Sequence, residues 1–79
     1  MKTLSERIEI DIEKFGASVA KVSGLKLSGD EARIIDLAKM YASDSAAWMK
    51  RGDLDTAFSS IAYAHGLMDA VLKLKHLIE

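Results

Sequence analysis

Four residue types are missing from the 79-residue chain: cysteine, proline, asparagine and glutamine. Without cysteine there can be no disulfide and no thiolate metal site, so a domain this small must be held by helix packing or by association with another chain. Without proline the strongest helix breaker is gone. The lack of asparagine, glutamine and cysteine removes thermolabile side chains, a composition that fits a thermophilic source. A charge excess of one sign is also lacking: 11 Lys+Arg stand against 12 Asp+Glu, for a formal net charge of −1. That balance leaves no electrostatic footprint for nucleic acid or an anionic membrane. No apolar run approaches the ~20 residues that span a bilayer. The first seven residues run straight into charged side chains, with no apolar signal segment. The expectation is a cytoplasmic protein that engages neither membrane nor nucleic acid.

What the sequence does contain is helix punctuation. Thr3-x-x-Glu6 and Ser28-x-x-Glu31 are capping boxes, each a hydroxyl placed for an orphan amide with a Glu that reaches back. Between them Leu4, Ile8, Ile12, Phe15, Val19 and Val22 step by three or four, a single helical stripe. The alternation from Ile8 to Glu13 would also suit a half-buried strand. The stripe outlasts it and no second strand candidate exists, so the segment is read as helix with Ile10 off the stripe as an exposed apolar residue. Gly24 is the expected left-handed stop. In the second helix Ile34, Leu37, Ala38, Tyr41, Ser45 and Trp48 share a face, and Lys50-Arg51-Gly52 ends it with cations and a glycine. Asp53 caps the third helix. There Leu54, Ala57, Ile61, Ala64, Met68 and Val71 form one stripe, with Phe58, Ala62, Leu72 and the Leu74, Leu77, Ile78 tail beside it.

These signals predict an all-α fold: an antiparallel up-down-up three-helix bundle, one domain over residues 1–79, with helices over about 3–23, 29–51 and 53–78. Short connections force neighbouring helices antiparallel, which leaves the first and third parallel. Gly16 and Gly66 each lie 13 residues past their N-caps and should share a level. Mid-helix glycine costs about 1 kcal/mol against alanine, so a close helix approach there is the expected compensation, with Met40 or Tyr41 filling the space.

One segment has functional texture. His65 and Asp69 are four apart and share a helical face, so the carboxylate could orient the imidazole. With Tyr41 and Tyr63 they form the candidate polar cluster. The plainer reading is a surface or interhelical hydrogen-bond pair, and Asp69 can also reach Lys73. Zinc needs at least three protein ligands, and the other histidine, His76, is about two turns on with no paired-His spacing. Ser59 and Ser60 near His65 have no strained elbow or glycine-rich oxyanion loop around them. No metal, no cofactor and no catalytic residue is expected.

The residues Tyr41, Lys50-Arg51-Gly52-Asp53, Ala57, Tyr63-Ala64-His65-Gly66 and Asp69-Ala70 resemble, in order and spacing, the final hairpin of the archaeal family called domain of unknown function 357. The likeness covers roughly residues 32–74; where that family typically has an aromatic after the His-Gly pair, this chain has Leu67. The resemblance implies a short three-helix protein and carries no activity. The leading expectation for function is a protein–protein interaction or self-association module without catalysis. Its candidate interface is Ile10, Leu72, Leu74, Leu77 and Ile78. The alternative is a small-molecule or metal site around His65 and Asp69.

Overall fold

The computed structural model describes residues 1–77; the expectation placed on Ile78 lies outside the described residues. Three α-helices follow in order, α1 (Leu4–Val22), α2 (Gly29–Lys50) and α3 (Leu54–Leu74). Both capping boxes form. The Thr3 hydroxyl accepts from the Glu6 amide and the Ser28 hydroxyl from the Glu31 amide, while each Glu carboxylate accepts from its cap's N–H. Asp53 accepts from the Thr56 amide at 3.0 Å and from the Thr56 hydroxyl at 2.8 Å. These caps satisfy amides that the helix ladder cannot.

Gly52 ends α2 as expected. Its φ is +84°, its N–H donates to Met49 O and the next N–H, of Asp53, donates to Trp48 O, the paired bonds of a Schellman stop. Gly24 behaves differently. It does not enter the left-handed region; α1 closes through the Ser23 amide to Val19 O, the Ser23 hydroxyl to Ala20 O and the Leu25 amide to Val22 O. A right-handed turn already satisfies the last carbonyls there, so the glycine's freedom is not used.

The third helix stops at Leu74, short of the expected 78. Its stop is again a Schellman motif, His76 N–H to Lys73 O and Leu77 N–H to Leu72 O, with His76 holding φ +59° where glycine usually sits. Neither glycine nor proline announces this stop in the sequence. A non-glycine residue in that region carries a steric cost of about 1 kcal/mol. His76→Gly should therefore stabilise the domain by a few tenths to about 1 kcal/mol, read as a higher midpoint in thermal unfolding. A lower midpoint would show that the imidazole itself is needed there.

Contacts between helices fix the topology. Ser45 and Tyr41 of α2 meet Ala57 and Tyr63 of α3, and Glu31 meets Lys75, so these helices are antiparallel. Arg7, Asp11 and Phe15 of α1 meet Phe58 and His65 of α3, so these two run parallel. The up-down-up bundle is the observed fold. Helix α3 is its centre, packed on α2 along most of its length and on α1 beside it, whereas α1 and α2 barely touch. The body is correspondingly flat, 37 × 24 × 16 Å.

The core follows from that arrangement. Ile8, Phe15 and Val22 come from α1, Ile35 and Ala38 from α2, and Ala57, Ile61, Ala64, Met68, Val71 and Leu72 from α3. The predicted α3 stripe is buried, with Leu54 packed at its edge. On α2 the buried set is Ile35, Ala38 and Ser45; Ile34, Tyr41 and Trp48 are only partly covered and Leu37 is exposed. Ser45 is fully buried and its hydroxyl donates to Ala57 O at 2.7 Å, which resolves its polarity inside the seam.

The glycine level is not a close approach. A Cβ built at either Gly16 or Gly66 meets nothing within 4 Å, and both residues are exposed. Met40, expected to fill the space between them, is 62% exposed instead. The two glycines lie on outer faces, away from the seams.

Candidate functional site

His65 sits on the side of α3 that faces α1. Its Nε2 lies 2.7 Å from the carbonyl oxygen of Asp11, and its ring meets Phe15 edge-on at 5.8 Å between centroids. A carbonyl can only accept, so Nε2 carries the hydrogen and donates. Half-buried between two helices, the imidazole is a clasp that ties the middle of α1 to α3. Asp69, one turn further on, is also half-buried, but among the described residues no hydrogen bond joins it to His65. The expected His65–Asp69 pair is replaced by a partner 54 residues away.

The two tyrosines do come together, on another side. Tyr41 of α2 and Tyr63 of α3 meet edge-on with centroids 4.6 Å apart. Tyr63 and His65 are two residues apart, about 200° around the helix at 3.6 residues per turn, so they look in nearly opposite directions. The candidate polar cluster thus divides into a histidine clasp on the α1 seam and a tyrosine pair on the α2 seam. Two clefts among the described residues bear on these positions. One, of about 430 Å³, is lined by Met1, Lys2, Arg7, Ile10, Asp11 and Lys14. The other, of about 240 Å³, lies between the end of α1 and the start of α2 and includes Val19, Val22, Leu25, Leu27 and Ile35. Neither is lined by Tyr41, Tyr63, His65 or Asp69. Among the described residues no group of three or more His, Cys, Asp or Glu is placed to hold a metal ion.

The candidate interface is redistributed too. Leu72 is a core residue, 1% exposed, because α3 is covered by helices on two sides. Ile10 is half-buried at the wall of the larger cleft. Leu74 and Leu77 are exposed as expected, at 64% and 43%. Two further exposed apolar side chains, Leu37 and Met40, were read from sequence as inward-facing. Their signal was present: Arg33, Leu37, Met40, Asp44, Ala47 and Arg51 recur by four and three, a second stripe on α2 offset from the Ile35, Ala38, Ser45 face. All six are exposed.

At the end of the bundle opposite the α2–α3 hairpin, Lys75 closes the structure. Its Nζ lies 2.9 Å from the Glu31 carboxylate and donates to Lys26 O at 3.1 Å. The Ser28 amide, and after it the Lys75 ammonium, hold the Glu31 carboxyl below its ordinary value of 4.5. The Thr3 amide and hydroxyl lower Glu6 in the same way, and those of Thr56 lower Asp53. A carboxyl lowered in the folded state adds stability above its unfolded value and forfeits it as pH falls through the folded one. The melting temperature should therefore hold near neutrality and fall as pH drops past about 4.5. Glu31→Gln keeps the capping geometry and discards the charge, so its acid decline should be shallower. Circular-dichroism melts across pH 7 to 3 decide it; identical slopes would remove Glu31 from the account.

Among the described residues no helix is long and apolar enough to cross a membrane. Fold and site together define a small all-α, three-helix protein in which Thr3, Ser28 and Asp53 cap the helices and His65 and Lys75 clasp the bundle. The sequence profile of the family described as "Protein of unknown function (DUF357)" matches residues 9–77, and the chain belongs to that family. The match reaches back through most of α1, beyond the hairpin that carries the resemblance in sequence. No curated protein matches the chain.

Proposed function

We propose that this protein is a protein-interaction module with no catalytic activity of its own, working in the cytoplasm through the outer side of the α2–α3 hairpin. The observation that carries this reading is the set of large apolar side chains left uncovered there: Leu37 at 39%, Met40 at 62%, Tyr63 at 52% and Leu74 at 64% exposure. Single exposed apolar residues are ordinary; several on two adjoining helices of a 79-residue chain are the pattern of an interface. Tyrosine and methionine are also the types that contact surfaces favour. The alternative of a small-molecule site at His65 and Asp69 loses support from the geometry, since the His65 Nε2 hydrogen is committed to Asp11 O and neither cleft described above is lined by His65 or Asp69.

The test is site-specific photocrosslinking in the native cell. A photoreactive residue at Met40 should give discrete protein adducts, and one at Glu13, exposed on α1, should not. Equal labelling from both positions, or none from Met40, would end the proposal.

A further inference from the structure

The partner can be specified further, on the strength of that reading. The exposed stripe of α2 runs Arg33, Leu37, Met40, Asp44 with spacings of four, three and four, continuing to Ala47 and Arg51. This is the alternation of a coiled-coil seam, in which positions three and four apart fall in one line along the helix. Its chemistry along that line is positive, apolar, apolar, negative. Reversed, the same line reads negative, apolar, apolar, positive.

We infer that this stripe pairs with the α2 stripe of a second copy of the chain, antiparallel, about a two-fold axis between Leu37 and Met40. In that register Leu37 packs on Met40 of the other copy, and Arg33 lies opposite Asp44, each contact occurring twice as a two-fold interface requires. No neighbouring register does as well. A shift of one heptad toward the C-terminus sets Arg33 against Arg51 and Met40 against Asp44; a shift the other way sets Arg33 against Leu37 and Asp30 against Met40. A parallel pair would align Arg33 with Arg33 and Asp44 with Asp44. Charge complementarity thus selects one occupant, one direction and one register. On its own chain Arg33 pairs with Asp30, but both side chains are highly exposed, at 77% and 87%, and such a pair on a helix surface holds only weakly. Tyr63, packed on Tyr41 beside the stripe, would border the contact and lose exposure with it. A seam of one helix from each chain lies at the small end of stable interfaces, so association at micromolar concentrations is expected.

A charge exchange tests the pairing. By sedimentation equilibrium at tens of micromolar and low salt, the unaltered chain should have twice the monomer mass. Arg33→Asp alone and Asp44→Arg alone should each be monomeric, because each homodimer sets two like-charged pairs face to face. The double variant Arg33→Asp with Asp44→Arg should dimerise again. Mixing the two single variants should give a heterodimer, since both pairs are then of opposite sign. Both positions are exposed, and circular-dichroism melts would confirm that each variant is folded. A monomeric unaltered chain overturns the inference, as does a folded double variant that fails to recover the dimer. If the unaltered chain is monomeric while Met40 still crosslinks to a different protein in cells, self-pairing is wrong and the interaction module stands. If neither occurs, both fall.

Discussion

Replacing Ile61 by alanine should cost this domain about 3–4 kcal/mol of unfolding free energy, the largest single effect expected here. Ile61 is fully buried on α3, the helix that touches both of the others. Removing its branched side chain leaves a cavity that the neighbours on α1 and α2 must close together. They cannot close it fully, because other contacts hold the helices at their spacing: the His65 clasp and the Arg7 guanidinium over Phe58 on the α1 side, and the Ser45 hydroxyl on Ala57 O on the α2 side. A chain of this length has roughly 4–12 kcal/mol of stability in total, so the variant stands close to its folding threshold. Urea denaturation at constant pH measures it, with Ala62→Ser, one exposed residue along, as the control. A loss below about 1 kcal/mol would mean that α1 and α2 can collapse on α3 without that side chain.

The second large effect has the opposite sign. Gly16→Ala combined with Gly66→Ala should raise stability by about 1.6–2 kcal/mol, which for a domain of this size is roughly 6–16 °C in melting temperature. Both glycines are inside helices, exposed, and free of any neighbour that a Cβ would strike. Alanine restricts the unfolded chain and meets no new obstacle in the folded one. The two sites are on different helices, so their effects should add. Gly66→Leu should likewise be tolerated, since open space surrounds the position. A melting temperature that falls for either alanine variant would show that another molecule, or a second copy, approaches the backbone there.

These two expectations mark how far the sequence can be read. Helix identity, both capping boxes, the Asp53 cap, the Gly52 stop and the α3 core stripe were all legible, and all are in place. Each depends on residues within a turn or two of one another, and local backbone chemistry decides such features before any packing occurs. The end of α3 was not legible, because its left-handed residue is a histidine, which does not announce a stop. His65 could not have been assigned its true partner from spacing. A carbonyl belongs to every residue, so nothing marked that of Asp11 as the one that α3 would meet.

What the sequence alone determined is the helices, their limits apart from the end of α3, and their hydrophobic periodicity, hence a three-helix bundle. Only the tertiary structure decided how wide an arc of each helix is covered. Periodicity gives a side chain its angle around an axis, not the directions in which neighbouring helices lie. Because α3 is flanked on two sides and α2 on one, Leu72 went into the core while Leu37 and Met40 stayed outside. The same asymmetry placed Gly16 and Gly66 on open surface and divided the candidate polar cluster into a histidine clasp on the α1 side and a tyrosine pair on the α2 side.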